Sequence, residues 1–258
     1  MRRTHRPPDA LEPSTAQVFV NRCCRPLLAA LALIAPLATP LAQTDGTLNA
    51  TERQWIEAGM PALRHARGSG LPLDIVVQPG AQPDASPIAM AIRDGRCKLV
   101  VSMRGNPRAD ALVAGVPPTL FAPVVEAVFA HEIAHCWRWS QGVWNQLPAG
   151  FVERNPASPD LDHAGAALAR TMLETRREEG YADLVSLAWT WRSHAGDYAG
   201  VLAWLEQVRA DEFEGEHHDT GLWLRLARDP GAFADAPTLF EQAEPLWERG
   251  LRTELNGQ

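Results

Sequence analysis

One segment limits the folds open to this chain more than any other: residues 124–139, VVEAVFAHEIAHCWRW. Its apolar members Val124, Val125, Val128, Phe129 and Ile133 predict a buried helix, yet it also carries His131, Glu132 and His135. Unpaired polar groups in a core are costly, so the fold must supply partners for them. At 3.6 residues per turn, His131 and His135 share a face one turn apart. Two imidazoles can then reach one zinc ion, while Glu132 projects beside it towards water. With this chain's composition, an H-E-x-x-H match arises by chance about once in sixty such sequences. The plainer alternative is a pair of core histidines hydrogen-bonded to a glutamate.

A catalytic zinc takes a third protein ligand and keeps one position open. Arg138 and Gln141 stand where a metzincin has its glycine and last histidine, which excludes that continuation. The helix-like segment 175–189, TRREEGYADLVSLAW, offers Glu179 and Asp183 at i, i+4 on one face. Glu179 is expected to complete a His₂Glu set. Asp183 is expected to accept the Nδ1–H of a ligating histidine and fix its tautomer. Glu178 is about 140° of helix rotation away from Asp183. It is left to pair with Arg170 or Arg177, or to face solvent.

His131-Glu-Ile-Ala-His135 together with Glu179-Gly-Tyr-Ala-Asp183 resembles the gluzincin zinc peptidases. The Glu-x-x-Ala-Asp form is most similar to relatives of the CAAX prenyl proteases and the HtpX-like peptidases. The resemblance covers the two motif segments and extends over roughly residues 95–225. It implies a zincin-like catalytic domain, Zn2+ as cofactor, Glu132 as general base, and a peptide or protein substrate. Such families carry a histidine in a comparable downstream loop, often followed by an arginine. In GEHHDTGLWLRLA (215–227) that implies His218 as a donor to the developing oxyanion, with Arg225 as a second group. The residues themselves leave open whether His217 or His218 faces the site, or whether both are solvent-exposed.

Elsewhere the chain reads as a leader followed by one domain. Arg22 and Arg25 precede an apolar run from Pro26 to Leu41, and Ala42 supplies a small residue at its end. This is the pattern of a signal peptide over 1–42, with export to the periplasm or exterior. Pro36 and Pro40 interrupt the run, which is short of the ~20 residues a spanning helix needs. The net charge of −7, from 24 basic and 31 acidic residues, argues against nucleic acid as a partner. Residues 43–258 then form a single domain with no stable transmembrane span. Cys97 and Cys136 either pair in an oxidising compartment or remain two small buried thiols.

Asn49 and Glu52 form a capping box for a helix to about Arg67, and Leu71–Gln78 has strand composition. Ile88–Arg93 and Arg96–Met103 flank Asp94-Gly95, a two-residue hairpin signal. Helices are predicted at 122–141, 162–195, 198–213, 219–229 and 236–253, with a proline-rich loop from Pro148 to Pro159. The fold class is therefore α+β: a small antiparallel sheet or hairpin followed by a mainly helical catalytic domain. Within the sheet, Lys98–Met103 is a candidate edge strand for an extended peptide. Trp137, Trp139 and Trp144 either line a cleft or pack in the core, and His65, His163 and His194 are expected at the surface. Two other functions use similar chemistry: a non-catalytic zinc-stabilised peptide-binding domain, and a zinc amidase acting on cell-wall or small-molecule amides.

Overall fold

The computed structural model describes residues 48–78, 80, 85–152, 162–210 and 216–257. The expected signal peptide over 1–42 lies outside them, as does part of the Pro148–Pro159 loop. Helix α1 (Ala50–Gly68) opens on a reciprocal capping box. The Asn49 side chain accepts from Glu52 N–H at 2.8 Å, and the Glu52 carboxylate accepts from Asn49 N–H at 2.7 Å. Glu52 also receives Arg104 Nε at 3.0 Å, which ties this helix start to the chain that leaves the sheet.

The sheet has three strands: β1 (Leu73–Val77), β2 (Ile88–Arg93) and β3 (Arg96–Val101). Asp94 and Gly95 adopt φ of 55° and 67°, the left-handed pair that a two-residue hairpin turn demands, so β2 and β3 run antiparallel. The sheet as a whole is mixed and not antiparallel as expected, because β1 lies parallel to β3, with Leu73 opposite Cys97. Turn chemistry dictates which way β2 and β3 pair, but nothing local dictates the partner of β1. The order β1-β3-β2 also makes β3 the central strand, so Lys98–Met103 is not an edge. The edge nearer the helices is β2.

A short helix absent from the sequence reading, α2 (Pro107–Leu112), follows the sheet. Asn106 caps it by accepting from Arg108 N–H at 3.0 Å, and Pro107 sits where its missing N–H costs nothing. The remaining helices are α3 (Phe121–Ser140), α4 (His163–Ser193), α5 (Tyr198–Ala210), α6 (Gly221–Leu226) and α7 (Leu239–Gly257). Helices α3 and α4 form the centre, with α1 and the sheet against α3 and α7 against α4. Gly180 on α4 admits the Trp223 indole of α6 so closely that a Cβ there would lie 2.5 Å from the ring. A Cys97–Cys136 disulfide staples β3 to α3 beside His135. Among the described residues no helix is long and apolar enough to cross a membrane. Strands on one side of a helical body make this an α+β fold.

Candidate metal centre

Helix α3 presents His131 and His135 to α4, which presents Glu179 and Asp183. His131 Nε2 and His135 Nε2 are 3.1 Å apart; Glu179 Oε2 is 3.3 Å from the first and Glu179 Oε1 3.4 Å from the second. A tetrahedral zinc sphere separates neighbouring N and O ligand atoms by about 3.4 Å. These three residues are also the group whose ligand atoms all converge within 4.8 Å among the described residues.

Protonation explains why the convergence points to a cation. His131 Nδ1 lies 2.9 Å from Asp183 Oδ1, so it is suited to donate to that carboxylate and leave the Nε2 lone pair facing His135. Two imidazole nitrogens at 3.1 Å repel unless a proton or a metal lies between them. In the metal-free state a proton does the work. Burial opposes a charge on His131, yet hydrogen bonds to Asp183 and Glu179 outweigh it and raise its pKa to about 10. Burial likewise pushes Glu179 upward, but His131 and His135 hold it well below the usual carboxylate range.

Asp183 is fully enclosed, and three residues make four contacts to its two carboxylate oxygens. Arg209 of α5 donates to Oδ2 through Nε at 3.0 Å and to Oδ1 through Nη2 at 2.8 Å. Thr220 Oγ1 donates to Oδ2 at 2.6 Å, and His131 completes the set. Burial alone would favour the neutral acid; Arg209 and His131 keep Asp183 ionised. Arg209 Nη2 also reaches Glu179 Oε2 at 3.3 Å. One guanidinium therefore orients both carboxylates.

Glu132 stays outside the ligand triangle but lines the same cleft. Burial raises its pKa, opposed by His131 and His135 and by a hydrogen bond from the Met90 backbone of β2. The strand register accounts for that bond. Ser102 N–H donates to Pro87 O, so Ala89, Ala91 and Arg93 face β3 in the alternating ladder. Ile88, Met90 and Ile92 thus turn their backbone groups outward, and Met90 meets Glu132.

The remaining sequence candidates divide. His218 lines the cleft, with Nε2 3.7 Å from Glu179 Oε2. Its pKa falls to about 4, chiefly through burial and against the pull of Glu179, so it is neutral near pH 7. His217 packs ring against ring beside it and is not part of the cleft wall. Arg225 of α6 is exposed, and it is Arg209 that reaches the carboxylates. Trp144 stands edge-on to His135 at 5.4 Å and lines the cleft, whereas Trp137, half-buried, stacks on Phe240 at 4.1 Å against the core. Trp139 is half-buried.

Glu178 neither pairs with Arg170 or Arg177 nor faces solvent. It is buried, accepting from Arg138 Nε at 2.6 Å and from Asn145 N–H at 2.9 Å, while Arg177 bonds Glu254. The reason is helical rotation: Glu178 points to the C-terminal end of α3, where Arg138 is already enclosed. His163 is exposed, but His65 and His194 are half-buried. His65 packs on Trp189 at 5.6 Å, and His194 Nε2 lies 3.0 Å from Glu126 Oε2, because both helix ends fold onto the core. Sequence reasoning missed Arg209 and Thr220 entirely; no local motif marks either. Comparison with known family models, curated proteins and solved structures finds no match for this chain.

Proposed function

We propose that this protein is a zinc-dependent hydrolase with a zincin-like catalytic domain, cleaving peptide bonds. The observation that carries the reading is the convergence of His131 Nε2, His135 Nε2 and the Glu179 carboxylate at 3.1 to 3.4 Å. These three residues would hold the metal, whose bound state supplies Lewis acidity and an acidified water. Asp183 fixes the His131 tautomer, and Arg209 keeps Asp183 and Glu179 ionised and aimed. Glu132, half-buried and raised in pKa, takes a proton from water and returns it to the leaving amine. Neutral His218 donates towards charge growing on the scissile carbonyl oxygen.

The outward backbone of β2 supports a peptide over other amides. Met90 borders the cleft on the outer strand of the sheet; Glu132 holds its N–H, and its outward carbonyl can accept from an N–H of an extended chain. The buried Cys97–Cys136 disulfide supports an exported protein, since such bonds persist in oxidising compartments. The test is zinc stoichiometry of the purified protein, followed by hydrolysis of casein with and without a chelator. One zinc per chain and chelator-reversible cleavage are expected. A protein that takes up no zinc, or cleaves equally well in chelator, overturns the reading.

A further inference from the structure

The loop that brings His218 to the cleft is joined to the metal constellation by a second residue. His218 lines the cleft, with Nε2 3.7 Å from Glu179 Oε2. Two residues on, Thr220 is completely buried, and its hydroxyl donates to Asp183 Oδ2 at 2.6 Å. The backbone between the two closes on itself: Thr220 N–H donates to His218 O at 2.9 Å, and Asp219 N–H to Glu216 O at 3.0 Å. Thr220 O then accepts from Trp223 N–H at 2.9 Å, where α6 begins. Trp223 seats that helix. Its indole lies against Gly180 of α4, where a Cβ would be 2.5 Å from the ring, and Nε1 donates to Trp247 O of α7 at 3.1 Å. The loop is thus fixed by a ring wedged between helices and by a hydroxyl on the carboxylate that meets His131.

We infer, on the metal-site reading above, that Thr220 is a positioning residue for His218, its hydroxyl using Asp183 as the fixed point from which the His218 imidazole is aimed at the cleft. Asp183 does not depend on that hydroxyl for its charge. Arg209 engages both of its oxygens, through Nε at 3.0 Å and Nη2 at 2.8 Å, and His131 meets Oδ1. A charged fork outweighs a neutral O–H at a carboxylate. The contribution of the hydroxyl is therefore geometric: it selects where residue 220, and with it His218, lies against α4. Leaving that place strands a buried hydroxyl without its acceptor, which is costly. One carboxylate thus serves two sides of the site, orienting a ligand histidine through Oδ1 and the donor loop through Oδ2.

The test compares wild type with Thr220→Val, Thr220→Ser, His218→Ala and the Thr220→Val, His218→Ala double variant, each titrated with zinc and assayed on a fluorogenic casein peptide. A misplaced group costs up to about 100-fold in rate, so Thr220→Val should lower kcat by about 10-fold with KM little changed. Its zinc affinity should stay within about threefold of wild type, well under the roughly 10- to 100-fold of losing an outer partner outright. Thr220→Ser, which keeps the hydroxyl, should restore kcat. In the His218→Ala background Thr220→Val should cost nothing further. A second readout needs neither metal nor turnover: with isotope-labelled histidine read by NMR, Thr220→Val should move the His218 imidazole signals and leave those of His131 in place. Thr220→Ala takes over both measurements should the valine variant fail to fold. Wild-type kcat in Thr220→Val, losses that multiply with His218→Ala, or a shift at His131 in place of His218 overturns the positioning role while the zinc reading stands. Absence of zinc uptake by the wild-type protein overturns the zinc reading, and the NMR comparison still decides whether Thr220 places His218.

Discussion

Glu178 and Glu179 are neighbours on α4, both largely enclosed, and they meet opposite fates. Glu178 accepts from Arg138 and from the Asn145 backbone. Arg138 in turn donates to Val143 O and Gln146 O and lies over the rings of Tyr181 and Trp247. Its charge is matched inside the chain, which makes Glu178 part of the scaffold. Glu179 faces two histidines whose nearest nitrogens oppose each other, and the one arginine it touches is already committed to Asp183. Two adjacent carboxylates thus differ in setting: one is matched to the Arg138 guanidinium, while the other faces two imidazoles in a cluster that could bind a metal.

The hardest blow to function should come from neither of them. Glu132→Gln keeps the shape and the three candidate ligands but removes the proton acceptor. Hydrolysis should fall by about 10²- to 10⁴-fold while zinc stoichiometry stays at one. Stopped assays paired with metal analysis decide this. Loss of the metal in that variant would make Glu132 a ligand and undo the division of roles.

The comparison itself is tested by exchanging the two losses. Glu179→Ala should lower zinc affinity more than the roughly 10- to 100-fold typical of removing an outer partner, with little change in metal-free folding. Glu178→Ala should do the reverse: it strands the Arg138 guanidinium in the core at a cost of about 3–5 kcal/mol. The zinc affinity of its folded fraction should stay near wild type. Denaturant melts and zinc titrations on both variants give a crossed pattern. Parallel losses in both quantities would mean that the two carboxylates are not separable. Asp183→Ala should fall between, with zinc affinity lowered about 10- to 100-fold because His131 loses the partner of its Nδ1. Unchanged affinity would leave the Asp183–Arg209 pair a purely structural one.

The parts of this arrangement legible in the sequence are those written within one helix. The spacing of His131, Glu132 and His135, and of Glu179 and Asp183, states which residues share a face, and Asp94-Gly95 states a hairpin. What depends on packing between elements was not legible. Arg209 is 26 residues beyond Asp183 and reaches it only because α5 returns against α4. Glu178 finds Arg138, 40 residues away, through the same α3–α4 contact that brings the histidines to Glu179. Pro79-Gly80 signals where β1 ends but not which strand it pairs with, so the placement of β1 beside β3 was not legible.

The smallest expected effect concerns protons, and it sharpens the comparison because only one of the two carboxylates feels it. His131 is raised to about 10 in the metal-free protein, so over the neutral range it carries a proton that the proposed zinc would have to displace. The sign follows from competition: lowering the pH favours the protonated, metal-free form and weakens binding. One displaced proton corresponds to about a tenfold change in apparent zinc affinity per pH unit. Titrations against a chromophoric chelator between pH 6 and pH 8, corrected for the chelator's own protonation, should show this slope. Isothermal titration in buffers of different ionisation enthalpy should report the proton released. Asp183→Ala should flatten the slope, because Asp183 contributes to holding that proton on His131. Glu178→Ala should leave it intact, since Glu178 is matched to Arg138 and not to the imidazoles. A slope near zero in the wild-type protein would mean that His131 is already neutral before zinc arrives, and the carboxylates around it would then have a weaker hold than their distances suggest.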